Sequence, residues 1–226
     1  MDKYKIGIIR VLTSTNEDVL YAHEKKLSAM FPQFELSTKC IEDQYEGIHD
    51  EETIGMAIPK IVRLAKEWEN DLDGIIVSCA GDPAVDILTD ELKIPVVGGG
   101  KSTALLSLAG SEKVGIIGIE ETPPINYTKI LKDLIISYEK PRGVVSTNDL
   151  QTEEGKEEII NSAKHLIELG ADTIAFACTG LTTTNAKQLL KHLNIRVLDA
   201  VESEGIMMLA ECISRYKYLY KKEDLC

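Results

Sequence analysis

Two stretches of the chain, LDGIIVSCAG at Leu72–Gly81 and ADTIAFACTG at Ala171–Gly180, align without gaps. Each is an apolar run that ends in a cysteine, Cys79 or Cys178, followed by a glycine-containing turn. Continuous apolar runs of this length are typical of parallel strands that are buried on both faces. The two cysteines lie at equivalent positions 99 residues apart, and the alignment indicates a duplicated α/β unit.

Two further pairs of segments support the duplication. KYKIGII at Lys3–Ile9 resembles SEKVGII at Ser111–Ile117, and KIPVVG at Lys93–Gly98 corresponds to NIRVLD at Asn194–Asp199. The offsets within these pairs are 108 and 101 residues, close to the spacing of the cysteines. Order and spacing are thus conserved between the two halves of the chain.

We therefore predict an α/β fold of two pseudo-symmetric lobes with parallel sheets and an active-site cleft between them. The N-terminal lobe is residues 1–110 with Cys79, and the C-terminal lobe is residues 111–226 with Cys178. The last helix is expected to cross back onto the first lobe. The predicted strands are Lys5–Val11, Phe34–Thr38, Gly74–Ser78, Pro95–Gly98, Val114–Ile119, Gly143–Ser146, Thr173–Ala177 and Arg196–Leu198.

Amphipathic segments between these strands are predicted helices. Pro59 lies inside one of them and predicts a kink or a late start. The predicted helices are Glu17–Phe31, Glu51–Glu69, Ala84–Leu92, Ser102–Leu108, Asn126–Tyr138, Glu154–Leu169, Asn185–Leu193 and Ser203–Tyr218.

Composition and charge narrow the classes of function. The net charge of −12 over 226 residues argues against nucleic acid and anionic membranes as partners, because both need a basic face. No apolar run reaches the roughly 18 residues that span a membrane, and no targeting layout precedes the first strand, so a cytoplasmic location is expected. The five cysteines form no Cys-x-x-Cys pair and the four histidines show no metal-ligand spacing, so we expect neither disulfides nor a metal site.

The paired cysteines indicate acid/base chemistry. Ligands of open parallel sheets bind at the carboxyl ends of strands, so the two thiols are expected to meet across one cleft. Opposed thiols suit inversion of a carbon stereocentre, because a proton leaves one face and another arrives on the opposite face. Backbone N–H groups after each cysteine are expected to lower its pKa from about 8.5, and no cofactor is required. A buried strand-end cysteine is the competing interpretation for either thiol alone; the matched pair favours catalysis by Cys79 and Cys178.

Other residues near the strand ends are predicted to contact a small-molecule substrate. Asp82 is alternatively a cap of its turn, and the spacings Ser14-x-x-Glu17 and Thr15-x-x-Asp18 fit capping boxes. The predicted substrate-contacting residues are Thr13, Ser14, Ala80, Gly81, Asp82, Gly98, Thr122, Thr179 and Gly180.

A glycine-rich segment, GGGKST at residues 98–103, ends like a phosphate-binding loop. The position where that motif requires its first glycine is occupied by Pro95. A nucleotide-binding protein therefore stays an alternative, beside a plain strand-to-helix turn at the edge of the cleft.

The sequence resembles the Asp/Glu/hydantoin racemase superfamily, and more closely its hydantoin-racemase-like branch. The resemblance rests on Cys79-Ala80-Gly81-Asp82-Pro83 after an apolar strand, on IPVVG at Ile94–Gly98 and on ACTG at Ala177–Gly180. It implies a cofactor-independent racemase or epimerase of an amino acid, hydantoin or related small carbonyl compound, with Cys79 and Cys178 as the acid/base pair. It also implies a homo-oligomer.

Two departures leave the substrate open. Many hydantoin racemases have an Asn-Pro-Asn-Thr-like loop after the first strand, where this chain has VLTST at Val11–Thr15. Glutamate and aspartate racemases often place His or Glu after Cys-Thr, where this chain has Gly180 and Leu181. The superfamily includes decarboxylases and a cis-trans isomerase, some of which use only one of the two cysteines. These activities and a non-catalytic small-molecule binder remain alternatives.

Overall fold

The computed structural model describes residues 3–215, and within them eight strands form two four-stranded sheets. The strands are β1 (Tyr4–Arg10), β2 (Phe34–Cys40), β3 (Gly74–Ser78), β4 (Val96–Gly98), β5 (Val114–Ile117), β6 (Ile135–Glu139), β7 (Thr173–Phe176) and β8 (Arg196–Leu198). All pairings are parallel, and the strand orders are β2-β1-β3-β4 and β6-β5-β7-β8. The second order repeats the first, so the predicted α/β fold with two pseudo-symmetric parallel sheets is confirmed.

Helices connect the strands. They are α1 (Glu17–Leu20), α2 (Ala22–Met30), α3 (Glu51–Trp68), α4 (Val85–Glu91), α5 (Gly99–Leu108), α6 (Ile125–Leu131), α7 (Glu153–Glu168), α8 (Gly180–Thr183), α9 (Ala186–Leu189) and α10 (Ala200–Arg215). Within residues 3–215, none of them is long and apolar enough to cross a membrane.

The apolar run of β3 is buried on both faces of the first sheet. Ile75 packs with Ile61 of α3 and Leu88 of α4, whereas the next residue, Ile76, packs with Leu27 of α2 on the opposite face. Successive strand residues point to opposite faces, so a strand covered on both sides has no polar alternation. This explains why the cysteine-bearing segments are continuously apolar.

Each sheet is covered by the helix that follows the fourth strand of the other sheet. Helix α10 follows β8 of the second sheet, yet its Met208 packs in a core cluster with Ile6 and Ile8 of the first sheet. Helix α5 follows β4 of the first sheet, yet its Ala104 packs in a cluster with Ile116 and Ala175 of the second. Each of these two helices begins directly after a fourth strand, so its N-terminus lies beside the sheet that precedes it.

The prediction was wrong for the strand between β5 and β7. The first four residues of the edge strand β6 lie within the predicted helix Asn126–Tyr138, and the predicted strand Gly143–Ser146 is a loop. Helix α6 ends at Leu131, and Lys132 then adopts a φ of 48°, which no α-helix accommodates. The β-branched Ile135 and Ile136 that follow suit a strand beside β5.

Side-chain caps fix the starts of helices α3 and α1. Helix α3 begins at Glu51, as predicted, and runs through Pro59, so the late start given as one alternative for the proline is wrong. Asp50 fixes that start by accepting a hydrogen bond of 2.8 Å from the Thr53 N–H. The capping boxes predicted at Ser14 and Thr15 are wrong, because Asn16 caps α1 by accepting from the Asp18 N–H at 3.0 Å.

The last helix begins three residues before the predicted Ser203–Tyr218. Residues 216–218 of that prediction lie outside the described residues, as does Cys226, one of the five cysteines.

Candidate active site

The two predicted catalytic cysteines lie in neighbouring turns. Cys79 directly follows the end of β3, and Cys178 lies two residues beyond the end of β7. The turns touch each other, because the Thr179 hydroxyl lies 3.5 Å from the carbonyl oxygen of Ser78. Burial raises the pKa of Cys79, and the charges of Asp82 and Cys178 add to that rise. The structure therefore brings together Cys79, Cys178 and Thr179 from the predicted set.

The pKa values of both thiols are raised, whereas the sequence predicted that they would be lowered. The Gly180 N–H donates to Cys178 Sγ at 3.3 Å, and the Gly81 N–H favours the thiolate of Cys79. Burial outweighs these donors, because the free-energy cost of removing a thiolate from water exceeds the stabilisation that one or two N–H groups provide. It raises the pKa of Cys178 to about 11, and it raises the pKa of Cys79 further. Both groups are therefore thiols at neutral pH.

A carboxylate that the sequence did not single out lies near both cysteines. Glu120 is half-buried beyond the end of β5, and its negative charge raises the pKa of Cys79 and of Cys178. Burial raises the pKa of Glu120 itself, while His49 opposes that rise. Thr122, the residue predicted to contact substrate after β5, is exposed. The position of Glu120 at a strand end was the signal that could have identified it.

Asp82 caps helix α5 instead of its own turn. Its Oδ1 accepts from the Gly100 N–H at 2.8 Å, and its Oδ2 accepts from the Lys101 N–H at 2.6 Å. Asn126 of α6 donates a third hydrogen bond to Oδ2, also of 2.6 Å. Burial raises the pKa of Asp82 to about 6, although these three donors favour the charged form. The turn that carries Cys79 is thereby tied to the helix that crosses to the second sheet.

Glycines 98–100 permit this close approach of α5 to the cysteine turn. A Cβ on Gly98 would lie 2.2 Å from Asp82 Oδ1, and one on Gly100 would lie 2.1 Å from the Ala80 carbonyl oxygen. The Gly99 N–H donates to the carbonyl oxygen of Cys79 at 3.1 Å. The segment that resembled a phosphate-binding loop therefore packs against protein, and the N–H groups of Gly100 and Lys101 are engaged by Asp82.

The hydroxyls predicted after β1 have structural partners. The Thr13 hydroxyl donates to the Ile41 carbonyl oxygen at 2.6 Å and accepts from the Gln44 N–H at 2.8 Å. The Ser14 hydroxyl accepts from the Asn16 N–H at 3.1 Å. Both residues thus hold the loop that follows β1.

A buried polar cluster beneath the Cys79 turn was also missed. It consists of His23, Ser78 and Glu204, which come from α2, β3 and α10. Only the adjacency of Ser78 to Cys79 is visible in the sequence, because contacts between such distant segments depend on the helices that cross between the sheets. Among residues 3–215, no group of three or more His, Cys, Asp or Glu side chains is placed to hold a metal ion.

A cavity of about 770 Å³ lies away from the cysteine turns. Three of its basic residues are Lys26, Lys187 and Arg196. Lys26 and Lys187 both form ion pairs with Glu202. The charges of Lys26 and Lys187 are thus compensated within the chain, and the cysteine turns remain the better candidate for chemistry.

Comparison with known proteins agrees with this geometry. Residues 6–204 match the sequence pattern described as Asp/Glu/Hydantoin racemase. A hydantoin racemase from Pseudomonas sp. (strain NS671) is 26% identical over 187 residues, which cover 74% of this chain and 73% of that protein. A hydantoin racemase from Paenarthrobacter aurescens is 26% identical over 165 residues, which cover 70% of this chain and 69% of that protein.

Solved structures share the fold. An allantoin racemase from Klebsiella pneumoniae superimposes with a TM-score of 0.81 at 18% identity, covering 94% of this chain and 88% of that chain. The matched sequence pattern covers most of the chain and includes both cysteine turns. The chain therefore belongs to the Asp/Glu/hydantoin racemase family, close to hydantoin racemases, and is an isomerase, as the sequence predicted.

Proposed function

We propose that this isomerase is a cofactor-independent racemase or epimerase of a hydantoin or a related small carbonyl compound, and that Cys79 and Cys178 transfer the protons. The observation that carries the proposal is the placement of two thiols in touching turns at equivalent strand ends of a duplicated fold. Two acid/base groups of the same kind on two related lobes are suited to the two faces of one stereocentre.

The reaction is a proton exchange at the carbon next to a carbonyl group. One cysteine, as thiolate, removes the proton from that carbon, so that the C–H bond breaks and an S–H bond forms. The electron pair delocalises onto the carbonyl oxygen as an enolate. The other cysteine then donates its S–H proton to the opposite face and becomes the thiolate. Backbone N–H groups in the cysteine turns are the nearby donors suited to stabilise the developing charge.

The reactive form of the protein carries one thiolate and one thiol, and because both pKa values are raised it is a small fraction of the molecules at neutral pH. Because a negative charge on Cys178 raises the pKa of Cys79, ionisation of the first thiol opposes ionisation of the second. Cys178 has the lower pKa of the two and ionises first. A thiolate at Cys178 together with a neutral Cys79 is the pair of protonation states that a two-base racemase requires.

The charges around the thiols favour an uncharged substrate. Glu120 acts on both thiols, and Asp82 also raises the pKa of Cys79. A substrate with free carboxylates would be repelled by these groups, whereas the ring of a hydantoin is neutral and offers N–H donors to a carboxylate. This argument, together with the relatives that are hydantoin racemases, favours a hydantoin over an acidic amino acid.

The nucleotide alternative is disfavoured by Asp82. A phosphate at the start of α5 would compete with a buried carboxylate for the Gly100 and Lys101 N–H groups. We expect no saturable binding of ATP or GTP in a calorimetric titration, and a measurable affinity that Lys101→Ala abolishes would reinstate that function.

A stereochemical screen tests the proposal. Single enantiomers of 5-substituted hydantoins, of allantoin and of glutamate are incubated with the protein, and optical rotation and deuterium uptake from D₂O are followed. We expect the fastest loss of rotation with a hydantoin or allantoin, accompanied by one deuterium at the stereocentre. Release of CO₂ would instead indicate a decarboxylase, and ligand-induced thermal stabilisation without turnover would indicate a non-catalytic binder. The homo-oligomer and the cytoplasmic location stay predictions, which gel filtration and cell fractionation test.

A further inference from the structure

Three buried polar side chains form a hydrogen-bonded network directly below the Cys79 turn. His23 Nδ1 lies 2.7 Å from the Ser78 hydroxyl, which donates to Glu204 Oε2 at 2.8 Å. The exposed fractions of His23, Ser78 and Glu204 are 0%, 1% and 0%. The network therefore joins α2, the end of β3 and α10 out of contact with solvent.

Both ends of this network carry an unsatisfied polar atom. His23 Nε2 and Glu204 Oε1 are buried and have no hydrogen-bond partner among residues 3–215. Leaving a buried polar atom unpaired costs about 1–3 kcal/mol, so a network that only filled space would be replaced by apolar side chains at lower cost. Burial also lowers the pKa of His23 and raises the pKa of Glu204, so it disfavours the charged form of both end groups.

The two ends of the network reach the two cysteine turns. The backbone of Thr179, the residue after Cys178, is close enough to His23 to affect its pKa. Glu204 Oε1 lies beside Gly99, where a Cβ would approach it to 2.7 Å, and the Gly99 N–H is bonded to the Cys79 carbonyl oxygen. Ser78, at the centre of the network, is the residue before Cys79.

We propose that His23, Ser78 and Glu204 are positioning residues that hold the Cys79 turn at a fixed separation from the Cys178 turn. The assignment rests on the proposed two-cysteine function. Its physical basis is that proton transfer needs reacting atoms about 3–3.5 Å apart, and a displacement of about 1 Å costs up to about a hundredfold in rate. The hydrogen bonds of Ser78 to His23 and Glu204 tie the residue before Cys79 to two helices, and so fix the position of the turn.

Substitutions at two positions separate positioning from simple packing. Ser78→Ala removes both hydrogen bonds of the central hydroxyl while keeping a small side chain. Glu204→Leu removes the acceptor, whereas Glu204→Gln keeps the shape and an oxygen that accepts from Ser78. We expect Ser78→Ala and Glu204→Leu to slow exchange of the substrate proton. We expect Glu204→Gln to keep the wild-type exchange rate within about threefold. Equal defects in Glu204→Gln and Glu204→Leu would overturn the proposal.

Exchange of the substrate proton for deuterium is measured for each enantiomer separately. Cys79→Ser first identifies the enantiomer whose proton Cys79 removes. For that enantiomer, Ser78→Ala should slow exchange by about 10–100-fold, while exchange of the other enantiomer changes less than about threefold. Equal slowing of both enantiomers would show a general packing defect and would overturn the proposal.

A second measurement does not depend on the substrate. The rates of alkylation of Cys79 and Cys178 by iodoacetamide are followed by mass spectrometry in folded wild type and variants. Releasing the Cys79 turn should change the ratio of the two rates at least about fivefold in Ser78→Ala, and less than about twofold in Glu204→Gln. If the wild type exchanges no proton on any compound, the proposed function fails, and this ratio alone decides the positioning role. An unchanged ratio in Ser78→Ala would overturn that role.

Discussion

Asn126 donates a hydrogen bond of 2.6 Å to the carboxylate of Asp82, and so joins a helix of the second half of the chain to the turn that carries Cys79. The same carboxylate accepts the first N–H groups of α5, which crosses to the second sheet. The geometry of the cysteine turn therefore depends on contacts from both lobes. A residue that the sequence suggested as a local cap is a connection between them.

Replacing Asp82 by Asn should destabilise the protein. An amide has only one acceptor oxygen, so its NH₂ group would face one of the donors now bonded to the carboxylate. We expect the free energy of unfolding at pH 7 to fall by about 1–3 kcal/mol, measured by urea denaturation. Asn126→Ala, which removes one donor only, should cost less than Asp82→Asn, and an equal or larger loss would contradict the central role of the carboxylate.

Adding a methyl group at Gly100 should damage the cysteine turn. Its Cβ would lie 2.1 Å from the Ala80 carbonyl oxygen, so the backbone must move. We expect Gly100→Ala to lower the free energy of unfolding by about 1–3 kcal/mol. Gly55→Ala is the matched control, because Gly55 is exposed within α3 and a Cβ added there would meet no atom within 4 Å among the described residues. The free energy of unfolding of that control should rise by about 0.5–1 kcal/mol. A similar fall in the free energy of unfolding of both variants would contradict the close approach of Gly100 to Ala80.

The rate of racemisation should rise with pH. The pKa of Cys178 is raised to about 11 and that of Cys79 is raised further, so the thiolate fraction increases about tenfold per pH unit between about pH 7 and pH 9. The unfolded chain ionises its thiols near pH 8.5, earlier than the folded chain, so stability falls as pH rises above that value. The kcat/KM is therefore measured with circular dichroism as a check of folding. A flat profile over this range would contradict the raised pKa values.

Removing the charge of Glu120 should shift that profile. Because Glu120 raises the pKa of both thiols, Glu120→Gln should lower both values and move the rise in kcat/KM to lower pH. Glu121→Gln is the control, because Glu121 is an exposed neighbour of the same charge. The readout is the pH at which kcat/KM begins to level off, followed above about pH 9 as far as circular dichroism shows an intact fold, because along the straight rise an effect on substrate binding would look the same as a shift in pKa. Equal shifts in the two variants would contradict a local effect of Glu120.

The sheets and the paired cysteines were predictable because both depend on local sequence. A strand buried on both faces must be apolar throughout, and the duplication marks Cys79 and Cys178 as equivalent. The boundary of β6 was not predictable in this way. Helix α6 ends at a backbone turn at Lys132, and a lysine gives no signal in the sequence that a helix ends there.

The environment of the thiols was the part that the sequence did not reveal. N–H donors next to a cysteine are visible in a turn motif, but the burial that outweighs them depends on the whole fold. The partners of Asp82 and the contact of Glu204 with Ser78 arise because α5 and α10 each cover the opposite sheet. The crossing of the last helix was expected, but the side chains that the two crossing helices bring against the Cys79 turn leave no local pattern, so these contacts required the structure.

Enantiomer-specific exchange in the two cysteine variants is the most direct test of the central claim. Cys79→Ser and Cys178→Ser are incubated in D₂O with each enantiomer of the best substrate from the screen, with Cys212→Ala as a control in the core. Each serine variant should lose net racemisation, and the two should lose deuterium exchange with opposite enantiomers, while Cys212→Ala keeps both. Full racemisation by either serine variant would contradict proton transfer by a pair of cysteines.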